Sequence, residues 1–181
     1  MMLRWARIVP LALVILVMVG CSTAPRTQEG KDDLVRDAAV ALTDWNRQAP
    51  GIEGFARYGY GYVMFPGIGK GGVGIGAGYG RGVVYAQNQH IGFADVSQGS
   101  LGFLIGGQNY QELIVFDDKV ALERFKQGKF DLSADSTGVL IASGYTARVR
   151  LIEGVTVFFR PIGGLMAEAT VGGQRFTFAP R

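Results

Sequence analysis

Glycine alternates with larger residues through the middle of the chain, and this is the most regular pattern in the sequence. From Gly72 to Gly82 every second residue is glycine, and most residues between are apolar. A period of two is that of a β-strand, whose successive side chains point to opposite faces. One face of this predicted strand is bare backbone, which indicates a sharp bend of the sheet or the close approach of another element.

Two segments have the apolar spacing of helices. The first is predicted over residues 31–48, ended by Pro50 and Gly51, and its alanines are expected to lie against the glycine face. Its charged side chains are slightly more acidic than basic, which favours a helix that packs on the core over one that lies on a membrane. The second follows Asp117, the predicted N-cap, and ends before Gly128.

The other apolar runs are short and predict strands that end at turn-forming residues. The predicted strands are residues 60–65, 67–85, 91–96, 101–105, 112–116, 137–150, 155–160, 165–171 and 174–178. Breaks between them are expected at Pro66, at Asn88, at residues 97–100 and at the glycine pair 172–173. The runs at 101–105 and 112–116 are apolar on both faces and are therefore expected to be buried.

The order of these elements predicts an α+β fold. We expect a strongly curved, glycine-rich antiparallel sheet, or a partly closed barrel, with one or two helices packed against it.

The first residues of the chain have the pattern of an export signal. Arg4 and Arg7 precede an uncharged apolar run at 8–19, which is followed by Gly20 and Cys21. The sequence Met-Val-Gly-Cys-Ser around Cys21 resembles a bacterial lipobox, in which signal peptidase cleaves the chain before the cysteine and the cysteine is acylated. A free thiol is the alternative for this single cysteine, and lipidation is favoured.

These features divide the chain into three parts. Residues 1–20 are a predicted lipoprotein signal peptide, residues 21–30 are the lipidated cysteine and a polar tether, and residues 31–181 are a single domain. Removal of the signal takes away two arginines and no acid, so the net charge falls from +3 to +1. A nucleic-acid partner is therefore not expected.

Candidate catalytic and cofactor motifs are weak. Gly67, Gly69 and Gly72 match a dinucleotide fingerprint, but a strand pattern follows them where a helix is required. Lys70 lacks the following serine or threonine of a P-loop. His90 is the only histidine, and no nucleophile elbow precedes any serine. We therefore expect no enzyme activity, no cofactor and no metal site.

Four stretches carry a family signature. They are Val-Met-Phe-Pro at 63–66, the run from Lys to Val at 70–84, Ser-Gln-Gly-Ser-Leu-Gly-Phe-Leu-Ile-Gly-Gly-Gln at 97–108, and Gly-Leu-Met-Ala-Glu-Ala-Thr-Val-Gly-Gly at 164–173. On these motifs the chain resembles the SYLF domain family, the lipid-binding and yeast actin-binding type of domain. The resemblance extends over most of the chain that follows the predicted signal.

The resemblance implies a function at membranes. SYLF domains bind lipids, notably phosphoinositides in eukaryotic endocytic proteins, some bind actin, and many bacterial members are secreted lipoproteins. It implies a lipid-anchored protein of the outer membrane, facing the periplasm, whose domain contacts anionic headgroups. Ser22 agrees with that location, because an aspartate after the cysteine is associated with inner-membrane retention. The alternative is a structural or protein-interaction lipoprotein, whose only membrane contact is acylated Cys21 and whose partner is an envelope protein.

Two groups of cations are candidates for binding an anionic headgroup. Arg148 and Arg150 lie two residues apart on a predicted strand, and Arg160 lies on the next. Lys70 and Arg81 bracket the glycine strand. The alternative for the three arginines is that they lie on a solvated sheet face and prevent aggregation. The alternative for Lys70 and Arg81 is that they only keep a loop soluble.

Overall fold

The computed structural model describes residues 25–133, 139–141, 148–152 and 154–181. The predicted signal peptide, residues 1–20, and Cys21 lie outside these residues. Only the backbone is described for residues 131, 133, 139–141, 148–152 and 167–171.

Three helices and six strands are present in the described part of the chain, which confirms an α+β fold. The elements are α1 (Gln28–Gln48), α2 (Ile52–Tyr58), β1 (Gly61–Ala86), β2 (Gln89–Phe116), α3 (Lys119–Lys126), β3 (Asp131–Ser133), β4 (Val139–Ile141), β5 (Arg148–Ile152) and β6 (Val155–Pro180).

All strand pairs are antiparallel, as predicted, and they form one open sheet. The strand order is β1-β2-β6-β5-β4, and β3 pairs with β6 beside this path. The two end strands of that order, β1 and β4, do not pair with each other in the described residues. The predicted alternative of a partly closed barrel is therefore wrong.

The three long strands run through positions where the sequence predicts breaks. Pro66 lies inside β1, at a register shift between Phe65 and Ile68. β1 ends the strand order, so a residue without an N–H is tolerated there. Residues 97–100 of β2 pair with β1 on one side and with β6 on the other. Gly172 and Gly173 are ladder partners of Ser100 and Gly99, not a hairpin turn. Pairing on both sides therefore overrides local turn propensity.

Helices α1 and α3 begin where side chains cap them. Thr27 Oγ1 accepts a hydrogen bond from Gly30 N at 3.1 Å, so α1 starts inside the predicted tether. Asp118, not Asp117, caps α3, because its carboxylate accepts from Ala121 N at 2.8 Å. The sequence pattern predicts no helix at α2, which contains a glycine and is only seven residues long.

The buried side chains form two clusters on opposite faces of the sheet. The outer cluster lies under α1 and α2, and the inner cluster lies against α3 and β3. The outer cluster contains Ala38, Ala41, Leu42, Trp45, Ile52, Ala56, Met64, Val83, Phe93, Leu113, Val115 and Phe158. The inner cluster includes Val63, Phe65, Ile68, Val84, Val96, Ile114, Phe116, Leu122, Phe125, Leu132, Val157 and Phe176.

The first and last parts of β1 lie against each other. Gln87 N donates to the carbonyl of Tyr60 at 2.9 Å, and a side-chain carbon added at Gly82 would lie 2.7 Å from Phe65 Cδ1. A carbon at Gly76 would lie 2.7 Å from Leu104 Cδ1. The glycine face is thus approached by β1 and β2. The expectation that the α1 alanines cover it is wrong, because those alanines belong to the outer cluster.

Candidate functional site

Strand β2 shows where the outer face of the sheet is covered and where it is open. Successive residues of the strand alternate between the inner and outer faces. Its odd-numbered residues Phe93 and Asp95 are buried at one end, and Gln111, Leu113 and Val115 are buried at the other. Between them, every odd-numbered residue from 97 to 109 is exposed. The outer face therefore has covered ends and an open middle.

The open middle carries a group of exposed apolar side chains, which we call the central patch. Its members are Val73 (77% exposed), Ile75 (70%), Leu101 (67%), Phe103 (65%), Ile105 (54%) and Leu165 (90%). Val73 pairs with Ile105 and Ile75 with Leu101. Leu165 pairs with Gly107, which is in phase with Ile105. The central patch therefore lies on one face across three neighbouring strands.

The central patch overturns the expectation that residues 101–105 are buried on both faces. Leu104, on the inner face, is buried, whereas its neighbours Phe103 and Ile105 are exposed. Residues 101–105 are apolar on both faces of the strand, and each face is buried only if another element covers it. Helices α1 and α2 cover only the ends of this face.

Glycines hold the backbone beside the central patch. Gly106 and Gly164 have φ values of 112° and 94°, in the left-handed half of conformational space that side chains disfavour. A side-chain carbon at Gly106 would clash with the carbonyl oxygen of Leu165, and one at Gly164 with that of Gly107. β2 and β6 therefore approach closely next to the exposed apolar residues.

Arginines flank the central patch on the same face. Arg81 pairs in register with Asp95, Arg175 with Ser97, and Arg160 with Gln111. These β2 partners are odd-numbered, as are Leu101, Phe103 and Ile105, so the three arginines lie on the outer face at the two ends of the open middle. Arg81 and Arg160 were predicted candidates, and Arg175 was missed, because its strand partners could not be read from the sequence.

Arg81 and Arg160 are held by local contacts. Arg81 Nε donates to the Tyr79 hydroxyl at 3.0 Å and lies 3.7 Å from Asp95 Oδ1. Arg160 donates to Gln111 Oε1 at 3.1 Å, and its guanidinium lies 6.0 Å from the ring centroid of Trp45. These contacts are on the sheet or α1, which orients the guanidinium groups at the margins of the patch.

The charges around the central patch are predominantly positive. Residues 66–81, 97–111 and 160–166 contain three charged side chains, all of them cations: Arg81 and Arg160 are on the outer face, and Lys70 is on the inner-face phase. Three acidic residues border the area in register: Asp95 of β2 pairs with Arg81, Asp131 of β3 pairs with Arg175, and Glu168 of β6 pairs with Leu104 on the inner-face phase of β2. An anionic partner is therefore the electrostatic complement of this face.

The structure separates the other predicted cations from this face. Arg148 and Arg150 pair with Phe159 and Val157, so Arg160 is out of phase with them and the predicted group of three is divided between two faces. The side chains of Arg148 and Arg150 lie outside the described part. Lys70 pairs with Gln108, on the inner-face phase, so it does not share a face with Arg81.

Asp95 is the acidic group beside Arg81. Its side chain is only 7% exposed. Burial raises the pKa of Asp95 to about 6, although its hydrogen bond with Tyr79 and the charge of Arg81 both act to lower it. The carboxylate therefore forms at a cost, and it neutralises Arg81 only above that pH.

His90, the candidate for an enzymatic role, is partly buried in an aromatic setting. Its ring lies 5.8 Å from that of Tyr85 and 4.9 Å from that of Phe93, and Nε2 is 3.1 Å from the carbonyl of Gly92. Burial lowers the pKa of His90 below its ordinary value. It borders a cavity of about 380 Å³ lined by Gln28, Lys31, Asp32, Val35, His90, Phe93 and Arg181. These contacts give the imidazole a packing role.

A polar cluster lies on the inner face of the sheet. Gln174 Nε2 donates to Glu112 Oε2 at 2.8 Å and lies 3.1 Å from the Tyr110 hydroxyl. Tyr110 in turn donates to Gln98 Oε1 at 2.7 Å. Glu112 is completely buried. The cluster joins β2 to β6 and was not foreseen, since its members are far apart in sequence.

Two wider tests concern membranes and metals. Within residues 25–133, 139–141, 148–152 and 154–181, no helix has the length and apolarity needed to cross a membrane. The same residues contain no group of three His, Cys, Asp or Glu side chains placed to hold a metal ion.

Comparison with protein-family models gave no match, and comparison with curated proteins gave none either. The SYLF resemblance therefore rests on the sequence motifs and stays a prediction.

Proposed function

We propose that the protein is a lipid-anchored outer-membrane lipoprotein of the SYLF type, facing the periplasm, whose domain contacts anionic lipid headgroups and catalyses no reaction. One observation supports this most directly. Arg81, Arg160 and Arg175 lie on one sheet face around an exposed apolar patch. Cations that border apolar surface are typical of proteins that bind at a lipid interface.

In this proposal the sheet is strongly curved about its glycine-rich middle. The support is the contact between the two parts of β1. A straight strand from Gly61 to Tyr85 would extend for about 80 Å at 3.3 Å per residue, yet a side-chain carbon at Gly61 would lie 2.6 Å from the carbonyl oxygen of Tyr85. Such curvature presents the middle of the three long strands as a projecting surface.

The proposed anchor leaves the domain close to the bilayer. Acylation at Cys21 would leave residues 22–27 between the lipid and the first turn of α1. Six extended residues reach at most about 20 Å. A domain held at that distance meets headgroups at high effective concentration, so weak contacts suffice.

The experiment separates the domain from its anchor. Residues 22–181, produced without acylation, are sedimented with neutral and with anionic phospholipid vesicles. Both buried clusters lie within these residues. The test variant is Arg81→Gln/Arg160→Gln/Arg175→Gln. The control is Lys119→Gln/Arg124→Gln/Lys129→Gln, which removes the same charge in and beside α3, on the opposite side of the sheet.

The unmodified domain is expected to bind anionic vesicles more tightly than neutral ones. A cation near an anionic surface contributes about 1 kcal/mol, so the test variant should bind roughly 100-fold more weakly, and the control should bind as the unmodified domain does. An equal loss in both variants would assign binding to overall charge. Failure to bind either vesicle type would leave the acyl group as the membrane contact and favour the protein-interaction alternative.

A further inference from the structure

We propose that the central patch enters the boundary between headgroups and acyl chains, while the flanking arginines bind the anionic headgroups. This inference rests on the proposed function, because it concerns the same face and the same bilayer. It adds an apolar insertion site that the sequence motifs did not indicate.

The exposed apolar side chains are grouped on one face of the sheet. Six large apolar side chains, each more than half exposed, gather on one face of three adjacent strands. Single exposed apolar residues are normal on soluble proteins, whereas a contiguous patch marks a surface that binds a partner or a membrane. The outward-facing positions next to the patch on β2 are Gly99 and Gly107, which add no polar side chain.

This face is open only where the patch lies. At the ends of β2 the same face is covered by α1 and α2, and Phe93, Leu113 and Val115 are buried there. No described segment covers Leu101, Phe103 or Ile105. The opening is therefore a local property of the middle of the sheet.

A bilayer fits this face better than a second copy of the chain does. A symmetric dimer through this face would place the same arginines of both copies at one interface, where like charges repel. Six side chains are also few, since a stable interface takes about 20–30 residues from each partner. A bilayer needs no complementary shape, accepts isolated apolar side chains and offers anionic groups to Arg81, Arg160 and Arg175.

The spacing of the groups fits this arrangement. Along β2, Phe103 is six residues from Ser97, the partner of Arg175, and eight from Gln111, the partner of Arg160. At 3.3 Å per residue these separations are at most about 20 and 26 Å, measured along the strand. The apolar residues can therefore enter the bilayer between arginines that stay at headgroup level, and long cationic side chains readily adopt that position.

Tryptophan fluorescence measures the insertion directly. Trp45 is the only tryptophan in residues 22–181 and is buried, so its emission sets a baseline. The test variant is Phe103→Trp in the central patch. The matched control is Val120→Trp, at a site of equal exposure on α3. Each is mixed with anionic and, separately, with neutral vesicles whose acyl chains carry bromine or a nitroxide, and quenching is compared with that of the unmodified domain.

Quenching and a blue shift are expected for Phe103→Trp alone. A second variant, Leu101→Ser/Phe103→Ser/Ile105→Thr, tests the energetics. Because these side chains are exposed, its melting temperature should stay near that of the unmodified domain. It should retain binding at low salt through the arginines and lose the part of the binding that survives high salt.

The outcomes separate this inference from the proposed function. Salt-sensitive binding to anionic vesicles without quenching at position 103 would overturn insertion and leave headgroup binding intact. Quenching at position 103 on neutral vesicles, equally strong on anionic ones, would support insertion and overturn headgroup selectivity. Absence of binding to all vesicles would overturn both. A dimer in solution that the Leu101→Ser/Phe103→Ser/Ile105→Thr variant dissociates, without quenching, would assign the face to self-association.

Discussion

Phe93 and Phe103 are the same residue type, on the same face of the same strand, ten positions apart. Phe93 is buried under α1, and Phe103 is 65% exposed. Strand pairing does not explain the difference, since β2 is paired with β1 and β6 over most of its length, both at its ends and in its middle. The difference comes from the third layer, because helices cover the ends and nothing described covers the middle. The covered ends therefore supply stability, and the open middle is available for binding.

The largest effect expected from this contrast is on stability. Phe93→Ala should lower the free energy of unfolding by about 3–5 kcal/mol, because it leaves a cavity under α1. Phe103→Ala should change it by less than about 0.5 kcal/mol, because the side chain is already in water. Urea unfolding followed by Trp45 fluorescence measures both. Equal losses would mean that the middle is covered as the ends are.

The stability of the folded protein should depend on pH through Asp95, which lies between the two regions. Asp95 is the last buried outer-face residue before the open middle, and its pKa is raised to about 6. The folded state therefore binds a proton more tightly than the unfolded state, so the stability falls as the pH rises from about 4 to about 6 and stays lower above that range. Asp95→Asn should remove this fall and raise the free energy of unfolding at neutral pH by about 2 kcal/mol.

Unfolding of both proteins at several pH values between 4 and 8 tests this expectation. A parallel pH dependence in the two would mean that another group titrates. The loss of the Arg81–Asp95 contact reduces the gain, which is why the expected figure is below the full pKa difference.

A glycine pair sharpens the contrast at the level of the backbone. Gly82→Ala should cost about 1–3 kcal/mol, because the new carbon would lie 2.7 Å from Phe65 Cδ1 and 2.9 Å from the Met64 carbonyl oxygen. Gly99→Ala, in the open middle, has nothing within 4 Å of the added carbon and should be close to neutral. Thermal melts of both variants give the comparison, and a neutral Gly82→Ala would contradict the close approach within β1.

The smallest effect concerns the helix on the inner face. Asp118→Ala should lower the free energy of unfolding by about 1 kcal/mol, because it removes the cap on Ala121 N. Asp117→Ala is the control and should have an effect below about 0.5 kcal/mol, because that side chain is exposed and does not cap α3. Chemical denaturation resolves the two, and the reverse order would restore Asp117 as the cap.

Several features that depend only on residues close together in the chain were predicted correctly. The glycine alternation predicted a strand and Asn88 a turn, and both are present, with Gln87 and Asn88 at positive φ between β1 and β2. The helices α1 and α3 were predicted within a few residues of their observed bounds. Arg81 and Arg160 were selected as candidates, and both lie on the arginine-flanked face.

Long-range pairing explains most of the errors. Ser97, Gln98 and the glycines at 172–173 have high turn propensity, yet the ladders on each side hold them in strands. Arg175 and the polar cluster around Gln174 depend on the register between β2 and β6, which brings together residues more than 60 positions apart at these sites. No local pattern encodes that register.

The sequence by itself determined the α+β composition, the glycine strand and the two longer helices, because each depends on residues close together in the chain. Only the tertiary structure decided which apolar residues of β2 are core and which are surface. Periodicity assigns a side chain to a face, but burial depends on whether a separate element packs there. The central patch is the part of the outer face that α1 and α2 do not reach.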